Sequence, residues 1–439
     1  MDVDCLILAG GHGTRTKSDF PKIFQEVAGK AIIRYVIEAC KAINPTQIIS
    51  VVSEPIKDHL LFEDTKTVVQ EAPRGTADAV LQAVPYIRSS HAIILCSDMP
   101  LIETMTLQHL ARNSCDISLI AMTVPKELKH MAYGQVIVDD KGSFQCIVEK
   151  SDCIHSNFAN SGVYKINSQL LKDNINKVIP DKKSGEFYLT ELFSILKRQD
   201  YVTEIIFADE YWPFHGVNTI ADLAAAEEVA QDKLRYKFMS KGVRLLDPKS
   251  VYFSYDTEIG KNVTIEQNVI FKNKVKVRDG VVVKAFSYFE DCEIFEKAIV
   301  GPFTRIRGNT QISSRSVIGN FVEIKGSIIG PEVKVKHLAY IGDTTVGSRT
   351  NIGAGVITCN FDGRNKHKSA IGEDVMVGAN SSIVSPLNIG NQAVIGAGSV
   401  INKNVPKGSL AIARSRQQNK ENYKKLRADA DKCDCKNYD

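Results

Sequence analysis

Hydrophobic and polar positions follow two rhythms along this chain. Over residues 1 to about 218, short apolar runs alternate with helical patterns. "CLILA", "QIISVV", "AIILC" and "DISLIAMTV" read as buried strands, and "AIIRYVIEACKAI" and "TADAVLQAVPYI" as amphipathic helices between them. That alternation predicts an α/β domain with a mostly parallel sheet. The stretch 219–241, "TIADLAAAEEVAQDKLRYKFMS" and its successor, is rich in helix formers and predicts a connecting helix.

From residue 242 the rhythm changes. Ile259, Ile265, Phe271, Val277, Val283, Phe289 and Phe295 fall six apart. The phase then slips, and Val300, Ile306, Ile312, Ile318 and Ile324 continue the spacing. It resumes at Ile371, Val377, Ile383, Ile389, Ile395 and Ile401. A six-residue aliphatic period predicts a hexapeptide β-helix, with one inward aliphatic residue on each face of a triangular coil. "KVKHLAYIGD", residues 334–343, reads as an interruption of that run. The interval 359–370 is too long for a six-residue face and is expected to project as a loop.

Composition narrows the classes. The 439 residues suffice for two or three domains, and 44% hydrophobic with 24% charged residues describes an ordinary globular chain. A formal charge of +4 is nearly balanced and argues against nucleic acid as a partner. No apolar run is long enough for membrane insertion, and the ten scattered cysteines include no C-x-x-C. Reduced thiols in a cytoplasmic location are the expectation. The tail 415–439 is polar and is expected to be helical or frayed.

Candidate chemistry begins at "LAGGHGTRTKSDFPK", residues 8–22, where the first strand ends. Gly10, Gly11 and Gly13 let backbone N–H groups approach phosphate oxygens, and Arg15 and Lys22 add positive charge. The spacing is neither G-x-G-x-x-G nor a P-loop.

This loop resembles that of sugar-nucleotide pyrophosphorylases. "QEAPRGTADAV", "CSDMPLI", "YGQVIV", "IVEKSD", "NSGVY", "GEFYLTEL" and "HGVNT" follow in that family's order. With the hexapeptide repeats attached, nearly the whole chain resembles the bifunctional N-acetylglucosamine-1-phosphate uridyltransferase/glucosamine-1-phosphate acetyltransferases. The resemblance implies a Rossmann-like mixed sheet followed by a left-handed parallel β-helix, with boundaries at 1–218, 219–241 and 242–439. It implies Mg²⁺ held by Asp98 and Asn218, and nucleotide and sugar contacts at Leu8, Ala9, Gly10, Gly11, Lys22, Gln70, Gly75, Thr76, Asp98, Gly134, Glu149, Asn160 and Asn218. Pro73 stands where the family commonly has glutamine, and Cys96-Ser97 where it commonly has Tyr-Gly. The sugar phosphate is already anionic, so the expected chemistry is in-line attack on UTP with Arg15 and Lys22 neutralising the departing pyrophosphate.

In the acetyltransferase half, the resemblance assigns His337 as the general base. An imidazole, titrating near neutrality, takes the proton of glucosamine 1-phosphate's amine as it attacks acetyl-CoA. The phosphosugar contacts fall on Arg307, Lys325, Tyr340, Asn351, Asn360 and Lys366. The acetyl-CoA contacts fall on Ala354, Ala379, Ala397 and Arg414. Phe361, Ala379 and Gly308 stand for a commoner Tyr, Ser and Pro. A homotrimer is implied, and the loop 359–370 is expected to reach an adjacent chain's His337.

Taken singly, most of these residues have plainer readings, such as a helix cap for Asp98 or a solvated loop histidine for His337. The rival functions are a single-activity pyrophosphorylase whose β-helix only oligomerises, and a structural trimer with decayed sites. The first does not require "HLAYIGD"; the second is expected to lose Arg15, Lys22, Asp98 or His337, and all four are present.

Overall fold

A computed structural model describes residues 2–11, 21–124, 133–149, 156–424 and 427. The chain divides into two compact units, 1–237 with 252–255, and 238–251 with 256–439.

The first unit is built on a nine-stranded mixed sheet. In chain order its main elements are β1 (Val3–Ala9), α1 (Ile32–Lys41), β2 (Gln47–Val52), β3 (Lys66–Val69), α2 (Thr76–Ala83), β4 (His91–Cys96), α3 (Thr104–Arg112), β5 (Ile117–Thr123), β6 (Gln135–Val138), β7 (Phe144–Val148), β8 (Phe158–Asn167), α4 (Ser168–Asn174), α5 (Thr190–Arg198) and β9 (Glu204–Ala208). The sheet order is β9-β5-β8-β4-β1-β2-β3, with β6 paired to β8 and β7 to β6. β8 runs antiparallel to β4 and β5, which makes the sheet mixed.

Alternation along β1 explains the layering. Cys5 and Ile7 face α1 and α3, whereas Leu6 faces α2, α4 and α5. Because both faces are covered, the strands read as unbroken apolar runs. The chain leaves β1 for β2 and β3 on one side, then returns to β4 on the other. β1 therefore lies at the switch point where open α/β sheets leave a crevice at the strands' carboxyl ends. The helix Ile220–Met239 follows.

The second unit winds three parallel sheets of ten, eight and eight strands, one per face of the coil. Inward aliphatics such as Ile306, Ile324, Val335 and Ile341 are fully buried. Two details differ from the periodicity reading. Ile294 is the buried residue, not Phe295, because that face is traversed in five residues instead of six. The stretch around His337 does not interrupt the coil, since Val335, Ile341, Val346 and Ile352 keep pointing inward.

Corners turn through left-handed residues, and one corner is distinctive. Its positive-φ position is occupied in successive coils by Phe286 (57°), Phe303 (55°), Phe321 (56°) and Leu338 (48°), then Gly355, Asn380 and Gly398. The three phenylalanines stack at 4.9 and 5.2 Å between ring centroids. They stay about half exposed (50, 46 and 55%), in a conformation costly for bulky residues.

Candidate functional sites

The crevice beyond β1 and β4 encloses a cavity of about 430 Å³. Of the residues singled out from the sequence, Leu8, Gly10, Gly11, Lys22, Gln70, Gly75, Thr76, Asp98 and Asn218 line it; Ala9 is buried within β1. Arg15 lies outside the described residues, as do the rest of 12–20, part of "IVEKSD" and the end of the tail. Pro73, Cys96 and Ser97, the departures from the family pattern, also line the cavity.

Backbone proximity explains the glycines. A side chain on Gly10 would run into Gln70 Oε1, and Gln70 itself is buried with its amide donating to Gly75 O (3.1 Å) and Asp78 Oδ2 (2.7 Å). Gly75, at φ 123°, abuts the Phe187 backbone and starts α2. Thr76 Oγ1 accepts from Leu189 N–H (2.9 Å), and Phe187 O accepts from Ala77 N–H (2.8 Å). "GEFYLTEL" is thus strapped to the loop before α2.

Opposite, Lys22 Nζ lies 2.6 Å from Asp98 Oδ2 and 3.1 Å from Asn218 Oδ1. Two oxygens from distant segments converge on one cationic atom. Val217 N–H donates to Asp98 O at 2.9 Å, which brings "HGVNT" to the end of β4.

Gly134, Glu149 and Asn160 gather beside this cavity. Gly134 O accepts from Asn160 N–H (2.7 Å), and Glu149 Oε2 sits about 3.5 Å from where a Gly134 side chain would begin. Cys96 lies between the two groups. Its thiol faces Gly162 and feels Asp98, Lys22 and Glu149, and burial pushes it up to about 12, so it stays a neutral thiol.

In the second unit, His337 ends its strand and pairs with Asn320 one coil below. His337 Nδ1 is 2.7 Å from Asn320 Oδ1. Facing an amide oxygen, Nδ1 is the nitrogen that donates, so in a neutral ring Nε2 is the acceptor. Around the corner, Arg307, Lys325 and Tyr340 belong to neighbouring strands of one face. Arg307 is held by Glu323 at 2.8 Å. Tyr340 OH and Asn360 Nδ2 converge over Gly342, and Asn360 donates to Asp343. Asn351 is exposed on the His337 face, one coil above Lys334.

The loop 359–370 leaves the coil as a small hairpin. It is closed by an antiparallel bridge between Phe361 and Lys366, with His367 Nε2 at 2.6 Å from Asp362 Oδ2. Lys366 lies against Lys325 of its own chain, and this contact between like charges, aided by burial, holds Lys325 below the usual lysine value. The basic loop therefore contributes to its own chain's cationic cluster. Ala354, Ala379 and Ala397 occupy successive corners, joined through Asn380 N–H to Ala354 O and Gly398 N–H to Ala379 O, each 2.8 Å. Arg414 passes over Gly398 at the end of this small-residue edge.

Sequence reading missed Asn320 and Thr190. Asn320 lies seventeen residues before His337, one turn of the coil, so the repeat length was the available signal. Thr190 Oγ1 donates to Glu149 Oε1 at 2.8 Å; it lies within "GEFYLTEL", where nothing sets it apart from its neighbours.

The nucleotidyl transferase family model matches residues 4–229, and the bacterial transferase hexapeptide model, of six repeats, matches 368–403. A protein of Wolbachia pipientis named bifunctional protein GlmU is 40% identical over 424 residues, covering 94% of this chain and 97% of the relative. Proteins of the same name from Zymomonas mobilis and Thermodesulfovibrio yellowstonii are 38% and 36% identical. They cover 94% and 95% of this chain, and 95% and 98% of their own lengths. With both halves matched in order over nearly its full length, this chain belongs to the bifunctional GlmU family.

Proposed function

We propose that the protein carries out two consecutive transfers in UDP-N-acetylglucosamine synthesis. In the first, the amine of glucosamine 1-phosphate attacks the acetyl-CoA carbonyl; an N–C bond forms, the C–S bond breaks, and CoA leaves. His337 Nε2 takes the amine's proton. Arg307, Lys325 and Lys366 hold the phosphate, which relieves the repulsion between the two lysines. Ala354, Ala379, Ala397 and Arg414 offer a shallow edge for the coenzyme arm. One observation carries the choice of two activities over a pyrophosphorylase with an inert β-helix. The Asn320–His337 hydrogen bond orients an exposed imidazole on a coil that also carries the Lys325–Lys366 pair of like charges, and a scaffold has no need to maintain either.

In the second transfer, a phosphate oxygen of N-acetylglucosamine 1-phosphate attacks the α-phosphorus of UTP, and the bond to the β-phosphate breaks, releasing pyrophosphate. Gly10, Gly11, Gln70 and Gly75 cradle the nucleotide, while Gly134, Glu149 and Asn160 orient the sugar. Asp98 and Asn218 present a carboxylate and an amide oxygen on which Lys22 Nζ already converges, a donor set suited to Mg²⁺, which takes few protein oxygens and completes its shell with phosphates. Bound there, the ion supplies neutralisation of the triphosphate charge. Lys22 and Arg15 would add positive charge for the phosphates.

The protein is a homotrimer in this reading. The half-exposed Phe286–Phe303–Phe321 stack, continued by Leu338 beside His337, supports burial against a neighbouring copy. Among the described residues no helix is long and apolar enough to cross a membrane. The free cysteines among them and the substrates acetyl-CoA and UTP support a cytoplasmic location. The deciding test is one incubation with glucosamine 1-phosphate, acetyl-CoA, UTP and Mg²⁺, following CoA and pyrophosphate separately. Release of pyrophosphate without CoA would leave the single-activity alternative standing.

A further inference from the structure

Next to Gly134 begins a largely buried chain of two hydroxyls and one imidazole. Tyr133 immediately precedes Gly134, and its hydroxyl is 2.7 Å from that of Tyr211 and 3.3 Å from His215 Nδ1. Tyr211 OH is 2.5 Å from the same nitrogen. His215 is 1% exposed, and its Nε2 has no hydrogen-bond partner but faces Asp222 Oδ1 at 3.9 Å. Asp222 Oδ2 accepts from the backbone N–H groups of Asn218 (2.9 Å) and Thr219 (2.8 Å).

The chain has a direction. The Asp222 carboxylate near Nε2 favours the proton of a neutral ring on that nitrogen, and Nδ1 then receives a hydroxyl. Tyr133 then donates to Tyr211, Tyr211 to His215, and Asp222 fixes the backbone of Asn218. A polar chain of this kind is costly where apolar packing would serve, and its hydrogen-bonded links, Tyr133 to Tyr211 and both to His215 Nδ1, fix the relative positions of the segments that carry them. Its two ends are a residue beside Gly134 and the turn holding Asn218.

We infer that Tyr133, Tyr211 and His215 are positioning residues for uridylyl transfer, locking the strand mouth that carries Gly134 to the turn that carries Asn218. This rests on the proposed assignment of Gly134 and Asn218 to the sugar phosphate and metal. Gly134 O holds Asn160 N–H, so loosening the lock displaces the sugar's contacts while the nucleotide loop, strapped separately by Phe187 and Leu189, stays in place.

The test uses the full chain carrying Tyr211→Phe, His215→Leu or His215→Asn, the last keeping an acceptor near the position of Nδ1. KM for N-acetylglucosamine 1-phosphate is expected to rise about tenfold in the first two. KM for UTP should stay within about twofold, which also reports a folded pocket, and His215→Asn should recover most of the loss. The inference is overturned if the sugar-phosphate KM is unmoved in both Tyr211→Phe and His215→Leu. It also fails if both KM values rise together, or if His215→Asn is no better than His215→Leu. Asn218→Ala in the same series separates the two readings. If it leaves KM and Mg²⁺ dependence untouched, the site assignment falls; if it is impaired while Tyr211→Phe is silent, only the lock falls.

Discussion

At the strand ends of the first unit, the groups facing the cavity are backbone N–H groups, half-buried oxygens and one lysine already paired with them. Around His337 they are longer cations on an outer surface, two of them in mutual contact. In the first, Lys22, Asp98 and Asn218 are already gathered, because parallel strands converge on a crevice that the fold itself provides. The second is open, because a coil filled by its own aliphatics has no interior to offer. Positioning and charge neutralisation therefore suit the first site, and an exposed proton acceptor suits the second.

The largest effect should come from removing the carboxylate in the cavity. Asp98→Ala, or EDTA on the unaltered protein, is expected to take pyrophosphate release below detection while CoA release continues. If both reactions stop in an intact assembly, the division between the two regions is wrong. The mirror experiment is His337→Ala, with acetyl transfer falling roughly 10²–10⁴-fold and uridylyl transfer near normal.

Phe303→Glu places a charge in the stacked column. It should shift the mass in light scattering from trimer to monomer and depress acetyl transfer, with little change in pyrophosphate release. An unchanged mass would remove the phenylalanine stack from the proposed interface. A smaller effect is expected from Asn320→Ala, about tenfold on acetyl transfer, because loss of one hydrogen bond frees the ring and its tautomer. A rate and pH profile matching the unaltered protein would show that Asn320 does not orient His337.

The smallest contrast is in acid sensitivity. Burial holds the His215 ring below its usual value, against the pull of Asp222, and burial does the same for His91. The unfolded chain therefore binds more protons as pH falls through about 6.5, and the first unit loses stability from there downward. In the second unit, the backbone N–H of Asn365, then the His367 ring, hold Asp362 well below the carboxylate range. That hairpin's contribution is present above about 4 and is lost only in stronger acid. Trp212, the chain's one tryptophan, packs 5.4 Å from the His215 ring and reports the first unit. Its fluorescence melting temperature should fall between about pH 7 and 5.5, and less so in His215→Asn. Equal drops in the two proteins would exclude His215 as a source.

Much of this was legible along the chain because the repeats are local. A six-residue period gives the β-helix, and alternating apolar runs and amphipathic helices give the α/β unit, since in both cases each short segment reports its own burial. The glycine loop, Asp98 and His337 stand at element ends with distinctive neighbours, but the roles of Asp98 and His337, like those of Glu149 and Asn160, come from the family resemblance. What a linear pattern cannot show is which distant atoms meet. Lys22 with Asp98 and Asn218, Thr190 with Glu149, Lys366 with Lys325, and Tyr133 with Tyr211 and His215 are pairings set by sheet order, coil length and the path of a hairpin. The five-residue face that buries Ile294 in place of Phe295 belongs with them. A one-residue shortening is nearly invisible in a period, yet stacking on the coils above and below decides which side chain points in.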